Sequence, residues 1–275
     1  MISIIPITSL DHPDLVPYRT LRQSEEHFRQ GIFIAEGTTV VRRLLEGGHT
    51  ILSVLLTPDW LEEFREQLAA RSEQMTVFVG EKNLLNTIVG YNLHQGIMAL
   101  AKIPVQETLD SVLERSPSPH LLAAIDGLTN SENIGVLVRN CTAFGVQVLL
   151  VGETSSSPYL RRAVRNSMGT VFKLPIVHCT YLVETLEELR RLRNYNIIAA
   201  HPHTEDHHLQ HADFTGHCCL VFGSEGYGIS PQVLTTCDTH VAIPMQRGVD
   251  SLNVASASAV FLYEVGRQRQ GKNKA

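Results

Sequence analysis

Apolar and polar positions along this chain fall into two alternating textures. Short runs of aliphatic and β-branched residues read as buried strands. Between them, apolar residues recur every three or four positions, as on one face of a helix. In the first part, "IFIAEG" predicts a strand and "TTVVRRLLEGG" a helix with Thr38 near its start and Gly47-Gly48 as its stop. "ILSVLLT" is a strand. "PDWLEEFREQLAARS" is an amphipathic helix with Pro58 and acidic residues early. "TVFVG", "EKNLLNTIVG" and "GIMALAKI" continue the alternation, which predicts a small α/β domain. In the second part "LLAAI", "VQVLLV", "VFKLPIV", "NIIAA", "CCLVFG" and "THVAIPM" are apolar enough for a parallel sheet covered on both faces. Helical stretches separate them at 133–144, about 158–168, 181–193 and about 230–237, and a long last helix is expected from Ser251 to about Arg269. "ERSPSPH", with two prolines and two serines, divides the two parts. The expected organisation is a domain over 1–113, a linker over 114–120 and a second domain over 121–275.

Composition changes this picture little. The 275 residues are 43% hydrophobic and 19% charged, which suits folded domains with real cores. No apolar run approaches the roughly 18 residues that cross a membrane. "MISIIPITSLDHPD" has neither a basic start nor a small-residue cleavage site, so no secretory signal and no membrane partner are expected. Cysteines at 141, 179, 218, 219 and 237 form no CxxC pair and sit mostly in apolar runs. They read as buried thiols of a reduced, cytoplasmic protein. The net charge of −5 argues against general nucleic-acid binding. Arginines cluster at 19, 22 and 29, at 42 and 43, and at 161, 162 and 165, where a local patch could bind phosphate. Each cluster is by default a solvated face.

Three stretches can carry chemistry. In "NIGVLVRNCTAFG", Arg139 stands on a helix face flanked by Gly135 and Ala143, so close packing around a long cation is expected there. "VFGSEGYGIS" leaves a buried strand with glycines at 223, 226 and 228, in an order that is not the dinucleotide fingerprint GxGxxG. Such glycines let backbone approach a ligand, and a tight turn explains them equally well. "IPMQRGVDSLNVASASA" enters the last helix with Ser251 as N-cap, followed by small residues that admit another helix or a second subunit. "HPHTEDHHLQH" spaces His203, His207 and His211 four apart, but it carries no HExxH, and no metal site is expected.

Together and in this order, the three stretches resemble the signature motifs of TrmH/SpoU-type RNA 2′-O-ribose methyltransferases of the SPOUT superfamily, over residues 121 to about 266. "GIFIAEGTTVV" and "HQGIMALAK" resemble the L30e-like substrate-binding domain that precedes it in the family. The resemblance implies an α/β SPOUT domain with a parallel sheet and a deep trefoil knot. It implies S-adenosylmethionine as methyl donor, a ribose 2′-hydroxyl of structured RNA as acceptor (rRNA in preference to tRNA) and a homodimer whose subunits share each site. It carries catalytic roles to Arg139, Asn133, Glu225, Ser251 and Asn253, and cofactor contacts to Gly223, Gly226, Ile243, Met245 and Leu252. Ser131 stands where the family often has proline, and Ala255 where serine is common. A catalytically idle RNA-binding or assembly protein on the same fold is the alternative, and the retained motif residues argue against it. A nucleotide-binding oxidoreductase is disfavoured by the missing GxGxxG and P-loop.

Overall fold

The computed structural model describes residues 2–89, 96–202, 204 and 207–272. Its chain divides into two compact units. The first comprises Met1–Val105 and Ser157–Lys173, the second Gln106–Ser156 and Leu174–Ala275. His94 and Gln95 of the "HQGIMALAK" stretch, and His203 of the histidine-rich stretch, lie outside the described residues.

In the first unit, strands β1 (Ile2–Ile7), β2 (Ile32–Glu36), β3 (Ile51–Leu56), β4 (Met75–Gly80) and β5 (Ile97–Lys102) form a sheet in the order β1-β4-β3-β5-β2. β1, β4 and β3 run parallel, and β5 runs against both of its neighbours. β1 went unread in the sequence because it is an edge strand with no fully buried residue and with Pro6 inside it. Helix Thr38–Glu46 buries Val40, Val41, Leu44 and Leu45, the i, i+1, i+4, i+5 stripe that its sequence predicts. Helix Pro58–Ala69 starts on its proline and buries Phe64 and Leu68.

Segment 157–173 completes this unit. Its helix is Arg161–Asn166, shorter than the 158–168 expected. Glu36, at the end of β2, is buried and accepts hydrogen bonds from Arg161 and, at 3.2 Å, from Arg165. Tyr159 and Phe172 pack on Phe33, and Arg43 donates to the Met168 carbonyl at 2.7 Å. The arginines suggested as phosphate patches are thus largely engaged within the fold. Two of the three at 161–165 hold one buried carboxylate, and Arg42 pairs with Glu63 at 2.6 Å.

The second unit is a six-stranded sheet, parallel throughout. Its strands are β6 (Leu121–Asp126), β7 (Val148–Val151), β8 (Ile176–His178), β9 (Asn196–Ala200), β10 (Cys218–Gly223) and β11 (Thr239–Val241), in the order β11-β9-β10-β6-β7-β8. All six residues of β6 are buried, as a strand covered on both faces requires. Of "VFKLPIV", only the end is strand; Thr170–Phe172 is a turn of 3₁₀ helix. Cys218 and Cys219 are both core. The unit begins before the Ser-Pro segment that reads as a linker. Helix Leu109–Arg115, capped by Thr108, buries Val112 and Leu113 in the core of this sheet.

The last helix runs Val254–Lys272 and buries Val254, Ala255, Ser258, Phe261, Leu262 and Val265, one continuous stripe. Its small residues serve a helix of the same chain. Asn140 of helix Ser131–Ala143 donates to the Ala255 carbonyl at 2.8 Å and to Ser258 Oγ at 3.0 Å. At the far end Arg269 donates to the carbonyls of Pro119, His120, Phe214 and Gly216, which fastens the helix beneath the starts of β6 and β10.

Candidate functional site

β6 has neighbours on both sides, β7 reached first and β10 much later, so the sheet winds both ways from β6. Ligands in such sheets bind at the carboxyl ends of the strands, beside this switch point. A cavity of about 440 Å³, within the range that holds cofactors, lies at the carboxyl ends of β9, β10 and β11, on the β10 side of this point. Its wall includes the residues after β9 (His201, Pro202), the end of β10 and the loop behind it (Phe222 to Ile229), and the loop after β11 (Ile243, Met245, Asp250, Ser251, Leu252). Phe222 and Phe261 meet edge to face, 6.0 Å apart, at its base.

The loop after β10 keeps its shape through its own backbone. Ser224 and Gly228 exchange backbone hydrogen bonds of 2.9 and 3.0 Å, and Ser224 Oγ accepts from Tyr227 N at 3.2 Å. Gly223 must be glycine. A Cβ there would stand 2.2 Å from the Gly228 carbonyl carbon, and backbone cannot yield that much. Asp126, buried at the end of β6, pairs through its backbone in register with Gly223 and accepts with its carboxylate from Ser230 N at 2.7 Å, so one residue meets both ends of the loop. Nothing in the sequence around Asp126 signals this task, which depends on strand order.

Helix Ser131–Ala143 starts two residues earlier than its apolar pattern. Asn130 caps it, accepting from Glu132 N at 2.9 Å and Asn133 N at 3.2 Å. An asparagine before an apolar-periodic run is a readable start signal. The cap of the last helix is Asn253, not Ser251. Asn253 Oδ1 accepts from Ala255 N at 2.9 Å, and its carbonyl accepts from Ala257 N at 2.9 Å. Ser251 lies in the loop and faces the cavity. Asn253 Nδ2 in turn donates to Asn133 Oδ1 at 3.1 Å, which joins the first and third stretches.

Gly223, Glu225, Gly226, Ile243, Met245, Ser251 and Leu252 all line the cavity; Asn133, Asn253 and Arg139 do not. Gly135 is buried, but Arg139 is exposed, and among the described residues its guanidinium makes no hydrogen bond or ion pair. The close-packed setting expected for it is absent within a single chain, because the helix turns its apolar face to the core and Arg139 to the opposite side. Cys141, on the buried face, has its thiol pushed up by desolvation and is inert. Among the described residues no group of three His, Cys, Asp or Glu comes together to hold a metal.

The sequence profile of the SpoU rRNA methylase family matches residues 120–263. An uncharacterized tRNA/rRNA methyltransferase of Mycobacterium bovis is 30% identical over 95% of this chain and 90% of its own length. The 23S rRNA (guanosine-2′-O-)-methyltransferase RlmB of Ralstonia nicotianae is 34% identical over 73% of this chain and 80% of its own. Among solved structures, the SpoU methyltransferase AviRb of Streptomyces viridochromogenes, crystallised with AdoMet, superposes with a TM-score of 0.77 at 25% identity, over 93% of this chain and 99% of that one.

Proposed function

The chain belongs to the SpoU rRNA methylase family, and from that premise we propose that it transfers a methyl group from S-adenosylmethionine to a ribose 2′-hydroxyl of structured RNA, rRNA in preference to tRNA. One observation carries the reading. The cavity at the carboxyl ends of β9, β10 and β11 gathers the glycine loop and the Ile243–Leu252 stretch into one wall, and the Asn133–Asn253 hydrogen bond ties helix Ser131–Ala143 to that wall.

The wall fits the donor. Phe222, Ile243, Met245 and Leu252 offer apolar surface, and Gly223 and Gly226 leave backbone within reach of a ligand. Bound there, S-adenosylmethionine supplies an electrophilic methyl on a sulfonium. Asn133 and Asn253 fix the start of the arginine helix. Glu225 orients the loop or an incoming arginine, and Ser251 donates a hydrogen bond into the site. Arg139 binds an RNA phosphate and stabilises the developing alkoxide. A guanidinium with a pKa above about 12 is a poor base but a strong, fixed cation.

The exposure of Arg139, away from the cavity wall, supports a homodimer in which one subunit's arginine serves its partner's cavity. The first unit is the RNA-binding domain in this reading, and the knot of the family lies in the second. Five unpaired cysteines, four of them buried, support a reducing, cytoplasmic setting; no described helix is long and apolar enough to cross a membrane.

The test is transfer of labelled methyl from S-adenosylmethionine to total RNA of cells lacking this protein. Wild-type protein should label one RNA species. Arg139→Ala should lower kcat by about 10²- to 10³-fold, the size of losing one preorganised charge stabiliser. Unlabelled RNA together with a chain that fails to bind the donor would overturn the reading.

A further inference from the structure

Glu225 and Asp250 line the cavity, and among the described residues neither lysine nor arginine does. His201 is the remaining wall residue that can carry positive charge, and its ring stacks on His240 at 5.9 Å between centroids. Arg247, on the same loop as Asp250, is exposed and is not part of the wall. The donor and its product differ by one methyl group and one positive charge, because the product's sulfur is a neutral thioether. A wall with two carboxylates attracts the two ligands unequally.

Resting on the methyltransferase reading, we propose that Asp250, acting with Glu225, is a specificity-determining residue that makes the cavity prefer the cationic donor over its neutral-sulfur product, and so favours product release. The attraction acts through space and needs no direct contact. Both carboxylates are exposed, so its size is that of two charges several ångström apart in a partly solvated wall, and salt weakens it.

The experiment is calorimetric titration of the full chain with S-adenosylmethionine and with S-adenosylhomocysteine, at about 0.01 M and about 1 M ionic strength, where the Debye length falls from about 30 to about 3 Å. Asp250→Asn should weaken donor binding roughly three- to tenfold at low salt and leave product binding unchanged. Asp250→Glu should restore the preference, Glu225→Gln should reproduce the loss, and high salt should erase the difference. Equal weakening of both ligands by Asp250→Asn would make Asp250 a shaping residue of the loop and overturn the proposal, as would no change in either. A wild-type chain that binds neither ligand overturns the methyltransferase reading as well.

Discussion

Asn253 performs two tasks with one amide: its oxygen caps the last helix, and its nitrogen holds Asn133. A single substitution separates them. Asn253→Asp keeps an oxygen for Ala255 N and loses the donor for Asn133, so it should melt within about 0.5 kcal/mol of wild type and still lose methyl transfer. Asn253→Ala should lose both, with about 1 kcal/mol of stability gone. Thermal melting beside a methyl-transfer assay checks this, and full activity in Asn253→Asp would remove Asn133 from the account. The sequence reads Ser251 as the cap, and the path of the loop gives that place to Asn253, next to the helix start at Val254. The cavity-lining glycines were legible because glycines at the end of a strand leave a local pattern. Asp126 left none, since its partner Ser230 is distant in the chain and adjacent only through the pairing of β6 with β10.

At the scale of elements, the periodic helices and apolar strands were readable, while their non-local fastenings were not. Arg161 and Arg165 looked like a basic patch because sequence spacing shows charges that share a helix and not the carboxylate that meets them from residue 36. Arg161 and Glu36 are both nearly buried, with side chains 12% and 8% exposed. Removing one partner strands the other, so Glu36→Ala should cost about 3–5 kcal/mol by urea unfolding. Arg165→Ala should cost under about 1 kcal/mol, because that side chain is 45% exposed. Equal effects from the two would mean that the pair is not what secures segment 157–173. The last helix teaches the same lesson. Its small residues suggested a close neighbour without saying which, and Asn140 identifies a helix of the same chain.

For the molecule as a whole, two α/β units and a parallel second sheet followed from the alternation of textures. Strand order did not, because pairing β6 with β10 across nearly a hundred residues leaves no local trace. Histidines that are buried (His27) or half-buried (His49, His178, His217) give both units a common pH dependence. Desolvation holds His27, His49, His178 and His217 below the ordinary value of 6.5. The unfolded chain therefore takes up protons near 6.5, before the folded chain does. Stability is level above that pH and falls as the pH drops from 6.5 through the lowered folded values. His49 is one of them. It sits among Phe33, Tyr159 and Phe172, and neither ring nitrogen has a partner among the described residues. His49→Phe should raise Tm and flatten its decline between pH 6.5 and 5. A steeper decline would show that the imidazole is held by an interaction worth more than its desolvation costs.

The central claim is that this cavity and Arg139 methylate a ribose oxygen. The most direct measurement is digestion of RNA modified by the purified protein to nucleosides, with mass spectrometry of the methylated product. A methyl on the ribose, at one position, formed far more slowly with Arg139→Ala, is the predicted result. A methyl on the base, or an unchanged yield with Arg139→Ala, would contradict the account.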